Sequence, residues 1–256
     1  MIDARAIADD LIEAERTRRP IAPFTRAHPF LDVGTAYTAQ WLFVEHRLNA
    51  GERLIGAKLG LTSRVKRDLL GIHEPLHGWL TSGMVAPHGE PLSIEELIHP
   101  QAEPEIALLI GDGLRPPATI ASVLAATEAV FAAIEVADSR YRDRFRLPDS
   151  VADNAGAARV VLGSQAHRPS ELADLGLVGC VFRSRGDVVG TAAGGAAMGH
   201  PAATVAWLVN TLAAKGTQLE MGTFVLTGGL TAPVPLRPHG LVSAEFDGLG
   251  SVDVYC

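Results

Sequence analysis

Glu103 and Glu105 stand two residues apart in Gln101-Ala102-Glu103-Pro104-Glu105-Ile106-Ala107-Leu108-Leu109-Ile110. The segment reads as a β-strand, with Ile106, Leu108 and Ile110 on one parity and the two glutamates on the other. Side chains alternate across a strand, so both carboxylates fall on one face. Side by side they repel, and one tends to hold its proton. A divalent cation removes that conflict, because hard cations such as Mg²⁺ take carboxylate oxygens and keep room for water or substrate. The plainer alternative is a solvated strand edge, which Pro104 favours because it cannot donate to a ladder.

Glu135 is a third carboxylate, set between Ile134 and Val136 in an apolar strand over residues 131–136. Buried acids are rarely left unpaired. Either it is bridged to an arginine such as Arg140, or it completes a three-carboxylate Mg²⁺ or Mn²⁺ site with Glu103 and Glu105. Lys58 stands between Gly56 and Gly60 on another apolar strand. One reading has it snorkel to water from a strand end. The other sets it beside the metal site, where its charge assists enolate formation or a lowered pKa lets it move protons. His73, His77, His99 and His200 show no convincing metal-ligand spacing, and His200 before Pro201 reads as a helix cap. Ser63, Ser139 and Thr227 lack the Gly-x-Ser-x-Gly signature of an activated nucleophile. Cys180 reads as core.

The elements that must position these residues are mixed. Residues 3–17 predict a helix with Ile7, Ala8, Leu11 and Ile12 on one face, ended by Pro20 and Pro23. A second helix is predicted from about Val33 to Leu48, with Ala36, Ala39, Leu42, Phe43 and Val44 inward. Together they make an N-terminal helical layer over residues 1–52. No Gly/Ser tract or charge block separates it from a catalytic domain over residues 53–256. In that domain, residues 54–62 read as a Gly-punctuated strand, after which Ser63 caps a short helix ended by Gly71. Residues 78–84 read as loop or short strand, 119–130 as an Ala-rich helix, and 152–158 as a loop. Strands are predicted over 159–162 and 224–227, with hairpins around Arg185-Gly186-Asp187 and Asp247-Gly248. One helix begins at Pro201, carries the stripe Val205, Leu208, Val209 and Leu212, and stops at Gly216. Hairpins with scattered helices make the class α+β. No Gly-x-Gly-x-x-Gly turn indicates a dinucleotide.

The 256 residues suit one large domain or a domain with a small appendage. A net charge of −7 argues against a nucleic-acid partner. The two cysteines make no disulfide framework. The lack of a signal pattern or a bilayer-length apolar run leads us to expect a cytoplasmic protein without a membrane.

Several motifs occur together and in order: residues 56–63 (GAKLGLTS), Ile98-His99-Pro100, Glu103-Pro104-Glu105, residues 134–140 (IEVADSR), residues 151–155 (VADNA) and Gly199-His200-Pro201. Together they resemble the hydratase/decarboxylase branch of the fumarylacetoacetate hydrolase superfamily. The resemblance implies a mixed β-roll core with flanking helices. It also implies Mg²⁺ or Mn²⁺ on Glu103, Glu105 and Glu135, and an active-site lysine at Lys58. It sets Thr62, Leu76, Asp153 and Thr227 at substrate-binding positions. Two activities occur in the branch, both from aromatic meta-cleavage catabolism: hydration of 2-hydroxypenta-2,4-dienoate, and decarboxylation of 2-oxo-3-hexenedioate (4-oxalocrotonate) to that dienol. Hydratases carry an acid in a Pro-Asp-Phe-Gly-like segment, whereas this chain has Pro75-Leu76-His77-Gly78. The stretch from Gly222 to Ala232 is also of the decarboxylase kind. Decarboxylation of a small dicarboxylic 2-oxo acid is therefore expected, with water excluded around Leu76 and Trp79. The resemblance further implies a homo-oligomer and a complex with a hydratase. Pro104, His77 and Gly156 depart from the family pattern.

Overall fold

The structure, a computed structural model, describes residues 2–256. In chain order the elements are α1 (Ala4–Thr17), α2 (Phe24–Ala27), α3 (Val33–Asn49), β1 (Leu54–Gly60), α4 (Arg64–Leu70), β2 (Leu76–Thr81), β3 (Gln101–Ile110), α5 (Ile120–Ala126) and β4 (Thr127–Ala137). They continue with α6 (Leu147–Ala152), β5 (Ala157–Leu162), β6 (Gly179–Ser184), β7 (Asp187–Ala193), α7 (Pro201–Ala214), β8 (Phe224–Leu226), β9 (Val234–Pro235), β10 (Leu241–Phe246) and β11 (Gly250–Tyr255).

In α1, Ile7, Ala8, Leu11 and Ala14 recur at helical spacing and are buried against α3. The side chain of Asp32 caps α3, accepting from the Thr35 N–H at 2.9 Å. Gln40, rather than the expected Leu42, is fully buried on its inner face. Its Nε2 donates to the carbonyls of His77 (2.9 Å) and Val151 (2.8 Å), tying the helical layer to β2 and α6.

Seven strands form one mixed sheet, in the order β2-β1-β8-β3-β4-β5 with β9 also on β3. The β1/β8 pair is parallel. On one face Ile106, Leu108, Ile110, Ala132, Ile134 and Val136 join the main core. On the other, Ala107, Ala133, Leu226, Leu80 and Ala157 make a smaller apolar cluster. Strands β11-β10-β6-β7 form a second, antiparallel sheet. It adds Phe182, Val242, Ala244, Phe246, Val252 and Val254 to the main core. The turn Arg185-Gly186 has φ 53° and 90°, as a two-residue hairpin of this twist requires. Helix α7 buries the expected Val205, Leu208, Val209 and Leu212, and His200 Nδ1 caps it by accepting from the Ala202 N–H at 3.0 Å. This is the mixed roll with flanking helices that the resemblance implies.

Three expectations change. Residues 76–81 are a full strand, β2, buried at every position. A strand buried on both faces shows no alternation to read. The Ala-rich helix stops at Ala126, because Thr127, Val130 and Phe131, β-branched or aromatic, pair with Ile110, Leu108 and Ala107 instead. Strand β3 is central, not an edge. Pro104 is tolerated there because the β8 ladder covers only Ala107–Leu109 and the β9 ladder only Gln101–Ala102. Its missing N–H thus faces the gap between them, where only its carbonyl is used, accepting from the Leu230 N–H at 3.0 Å.

Candidate active site

The sheet register assembles the site. Glu103 lies directly opposite Glu135, and Glu105 opposite Ala133. One row further, Ala107 pairs with Leu226 and Leu226 with Lys58, which in turn pairs with Gly78. Cross-strand partners share a face, so the three carboxylates and the ammonium converge on the side of the smaller apolar cluster. The small side chains of Ala107 and Ala133 leave room above it. One oxygen from each of Glu103, Glu105 and Glu135 lies within 4.8 Å of the others.

Glu105 and Glu135 are fully buried and Glu103 half-buried. Glu105 Oε2 accepts from the Gly228 N–H at 2.7 Å. Gly228 has φ +103°, and a Cβ there would sit 2.2 Å from Thr62 Oγ1, so only glycine can bring that N–H to the carboxylate. Lys58 Nζ lies 3.0 Å from Glu135 Oε1 and donates to the Ala155 carbonyl at 2.8 Å. Even so, Glu105 Oε1 and Glu135 Oε2 are buried without a partner, and Glu135 Oε1 has only the Lys58 ammonium. Burial, then the Glu135 charge, push the pKa of Glu105 well above the usual carboxylate range and that of Glu103 in the same direction. Burial opposes the Lys58 charge, but Glu135, Glu105 and Glu103 outweigh it and hold its pKa above the ordinary lysine value. The three carboxylates therefore favour the charged form of Lys58. Three carboxylates against one ammonium leave two negative charges, which a divalent cation balances. The unpartnered oxygens are its natural ligands. The donor set thus fits Mg²⁺ or Mn²⁺.

The other sequence candidates divide. Leu76 is buried and pairs with Gly60, on the face that carries Lys58; its Cδ1 lies where a Gly60 Cβ would nearly touch it. Thr62 is buried against Gly228. Thr227 spends its hydroxyl on the Ile106 carbonyl at 2.8 Å. Asp153 is clamped by Arg140: its carboxylate accepts from the Arg140 N–H at 3.0 Å and from Nε, while Arg140 Nη2 donates to its carbonyl at 2.7 Å. The arginine offered as an alternative partner for Glu135 thus serves Asp153. Two contacts carried no residue-type signal in the sequence: the Ala155 carbonyl and the Gly228 N–H.

Trp79, expected to exclude water together with Leu76, does not share that residue's face of β2. It points to the opposite face of β2, edge-on to Trp41 with ring centroids 6.0 Å apart. His77 points the same way, stacked on Tyr37 at 4.7 Å, with neither ring nitrogen partnered. Burial, then the Lys215 charge, lower its pKa to about 4. The unfolded chain binds this proton near pH 6.5 and the folded chain does not. Stability present above that pH is therefore lost as pH falls from 6.5 toward 4, by about 3 kcal/mol in all. His77→Phe keeps the stack and removes the proton site. Its unfolding free energy is expected to exceed that of the wild type increasingly across that window. Parallel curves from pH 8 to 4 would refute the assignment.

The sequence profile of the fumarylacetoacetate (FAA) hydrolase C-terminal family matches residues 58–254, which span Lys58 and all three glutamates. The chain belongs to the fumarylacetoacetate hydrolase family. Its relatives within the family match over nearly the whole chain. The 4-oxalocrotonate decarboxylase of Pseudomonas sp. (strain CF600) is 37% identical, covering 96% of this chain and 94% of the relative. The 2-keto-4-pentenoate hydratase of Burkholderia vietnamiensis (strain G4 / LMG 22486) is 40% identical, covering 96% and 95%. Among solved structures, 4-oxalocrotonate decarboxylase from Pseudomonas putida G7, complexed with magnesium and adipate, superposes with a TM-score of 0.95 at 35% identity, covering 98% of this chain and 96% of the other. Overall identity therefore does not separate the two activities of these relatives. Particular side chains must. No helix among the described residues is long and apolar enough to cross a membrane.

Proposed function

We propose that this fumarylacetoacetate hydrolase family member is a metal-dependent decarboxylase of 2-oxo-3-hexenedioate. The observation that carries the reading is Leu76. The position that resembles the hydratases' acid is here a buried leucine, paired with Gly60 on the face of β1 that carries Lys58, in a chain whose carboxylate trio suits a dication. Hydration needs a group that moves a proton to carbon, and leucine cannot. Decarboxylation needs no base to break the carbon–carbon bond. The bond to the distal carboxylate breaks, its electron pair shifts through the double bond to the 2-oxo oxygen, CO₂ leaves, and a proton yields the dienol.

Glu103, Glu105 and Glu135 would hold Mg²⁺ or Mn²⁺, which supplies Lewis-acid stabilisation of the charge that develops on the 2-oxo oxygen. Lys58, held cationic at 3.0 Å from Glu135, adds positive charge at the same place. Leu76 and the small apolar cluster keep water from the carboxylate that departs as neutral CO₂. Lys58→Met keeps the stem and removes the charge. It is expected to lower kcat by about 10²–10³-fold, the scale for losing one such stabilising group, with KM little changed. A kcat within about threefold of wild type would remove Lys58 from the chemistry.

The deciding experiment mixes purified protein with Mg²⁺ and 2-oxo-3-hexenedioate and follows substrate absorbance and CO₂ together. Matching loss and release support the decarboxylase. Consumption of 2-hydroxypenta-2,4-dienoate without CO₂ from the diacid would make the chain a hydratase. Turnover by the purified chain alone would exclude an idle stabilising partner of a hydratase. In this reading the protein acts in the cytoplasm as a homo-oligomer and passes its dienol to an associated hydratase. Light scattering of the pure protein, and of its mixture with such a hydratase, tests both associations.

A further inference from the structure

Asn154, Ala155 and Gly156 have φ of 51°, 55° and 75°, three left-handed residues in succession. A residue with a Cβ adopts that conformation at a cost, and strain of this kind persists only where the surroundings enforce it. The surroundings are explicit. The Asn154 side chain, fully buried, accepts from the Trp79 N–H through Oδ1 at 2.8 Å and donates to the Trp79 carbonyl through Nδ2 at 2.9 Å. It thereby joins β2 as a strand residue would. Gly78 lies so close that a Cβ there would sit 2.4 Å from the Asn154 carbonyl oxygen, so β2 and the turn touch backbone to backbone. On the other flank, Arg140 grips Asp153, and the Asp138 N–H donates to the Gly156 carbonyl at 2.8 Å.

The turn delivers one group to the site, the Ala155 carbonyl that takes a hydrogen bond from Lys58 Nζ at 2.8 Å. A lysine ammonium on its four-carbon stem is otherwise free to sample several rotamers. The carbonyl holds it against Glu135. Relaxing Ala155 to right-handed backbone would rotate the Ala155–Gly156 peptide and turn that oxygen away, and Asn154 upstream fixes the entry to the same turn.

We propose that Asn154 is a positioning residue that acts through Lys58: its double hydrogen bond to Trp79 locks the left-handed turn whose Ala155 carbonyl aims the ammonium at the carboxylate trio. The inference rests on Lys58 serving that trio. The motif at residues 151–155 is then a brace for the lysine and not a direct contact to substrate.

A double-mutant cycle tests it with wild type, Asn154→Ala, Lys58→Met and the double variant. For a residue acting only through another, the second substitution adds nothing once the first is made. Asn154→Ala is expected to lower kcat by about ten- to a hundredfold with KM within about threefold, and to change kcat by less than about twofold in the Lys58→Met background. Mn²⁺ affinity, read by electron paramagnetic resonance, should follow the same pattern: a shift of about threefold or more with Lys58 present and none without it. This second readout needs no turnover, so it stands even if 2-oxo-3-hexenedioate is not the substrate. Absent turnover in the wild type would sink the decarboxylase reading alone. Equal losses in both backgrounds, or a lower Tm with kcat and Mn²⁺ affinity unchanged, would overturn the proposal. Asn154→Gly, whose backbone enters the left-handed region freely, serves in the same cycle where the alanine variant does not fold.

Discussion

Glu105→Gln is expected to fold and to lose metal-dependent turnover by at least about 10³-fold, equivalent to roughly 4 kcal/mol of transition-state stabilisation. The side chain is fully buried, yet only one of its oxygens has a partner, the Gly228 N–H. An amide of the same shape can keep that bond through its carbonyl oxygen. What disappears is one negative charge of the trio, and with it the balance against a dication. The stability data should move in opposite directions with and without metal. In the metal-free protein, burial and the Glu135 charge oppose ionisation of Glu105, so an uncharged amide relieves repulsion and should raise Tm. For the wild type, Mg²⁺ at about a hundred times its Kd should add roughly 2.7 kcal/mol of stability by mass action, and the variant should show little of this. Thermal melts with and without Mg²⁺, beside the CO₂ assay, give both readings. A variant that still turns over with added Mg²⁺, or that Mg²⁺ stabilises as much as the wild type, would detach Glu105 from the metal.

The pairing of Glu103 with Glu105 was legible because a two-residue period places side chains on one face whatever the tertiary context. That Glu135 stands opposite Glu103 is a matter of register between β3 and β4, which no local pattern in either strand states. Lys58 was conspicuous as a charge in an apolar strand, but its partner was open until β8 set β1 against β3. The errors share a cause. Pro104 signalled an edge because its missing N–H needs a vacant side, and the sheet supplies that vacancy internally, between β8 and β9. Trp79 was set beside Leu76 by sequence proximity, although odd and even residues of β2 face opposite ways. Near Asp153, whose carboxylate Arg140 holds, the group that reaches Lys58 is the backbone carbonyl of Ala155. Backbone groups carry no residue identity, and a left-handed turn at an alanine has no compositional mark.

Arg140→Met should destabilise the protein by about 3–5 kcal/mol, because it strands a buried carboxylate. Arg140 is fully buried, and its guanidinium lies over Phe43, 5.2 Å from the ring centroid. Nη1 approaches Glu15 of α1 at 3.7 Å, while Nε and Nη2 serve Asp153. Methionine can keep the packing on Phe43 and lose the rest. Burial already pushes the Asp153 pKa up to about 6 against the pull of Arg140. Without the guanidinium it should rise further from its unfolded value near 3.9. Wild type and variant share the unfolded value, so the penalty relative to wild type should be flat below the wild-type folded value of about 6 and grow as pH rises from there toward 8. The destabilisation of Arg140→Met, read by denaturant titration, should therefore be smaller at pH 5 than at pH 8. Adding Asp153→Leu removes the stranded charge and should recover at least about half of the loss at pH 8, since apolar replacements of buried ion pairs are often tolerated. A pH-independent penalty, or a double variant no more stable than Arg140→Met, would show that Arg140 supports the fold through Glu15 and Phe43 and not through Asp153.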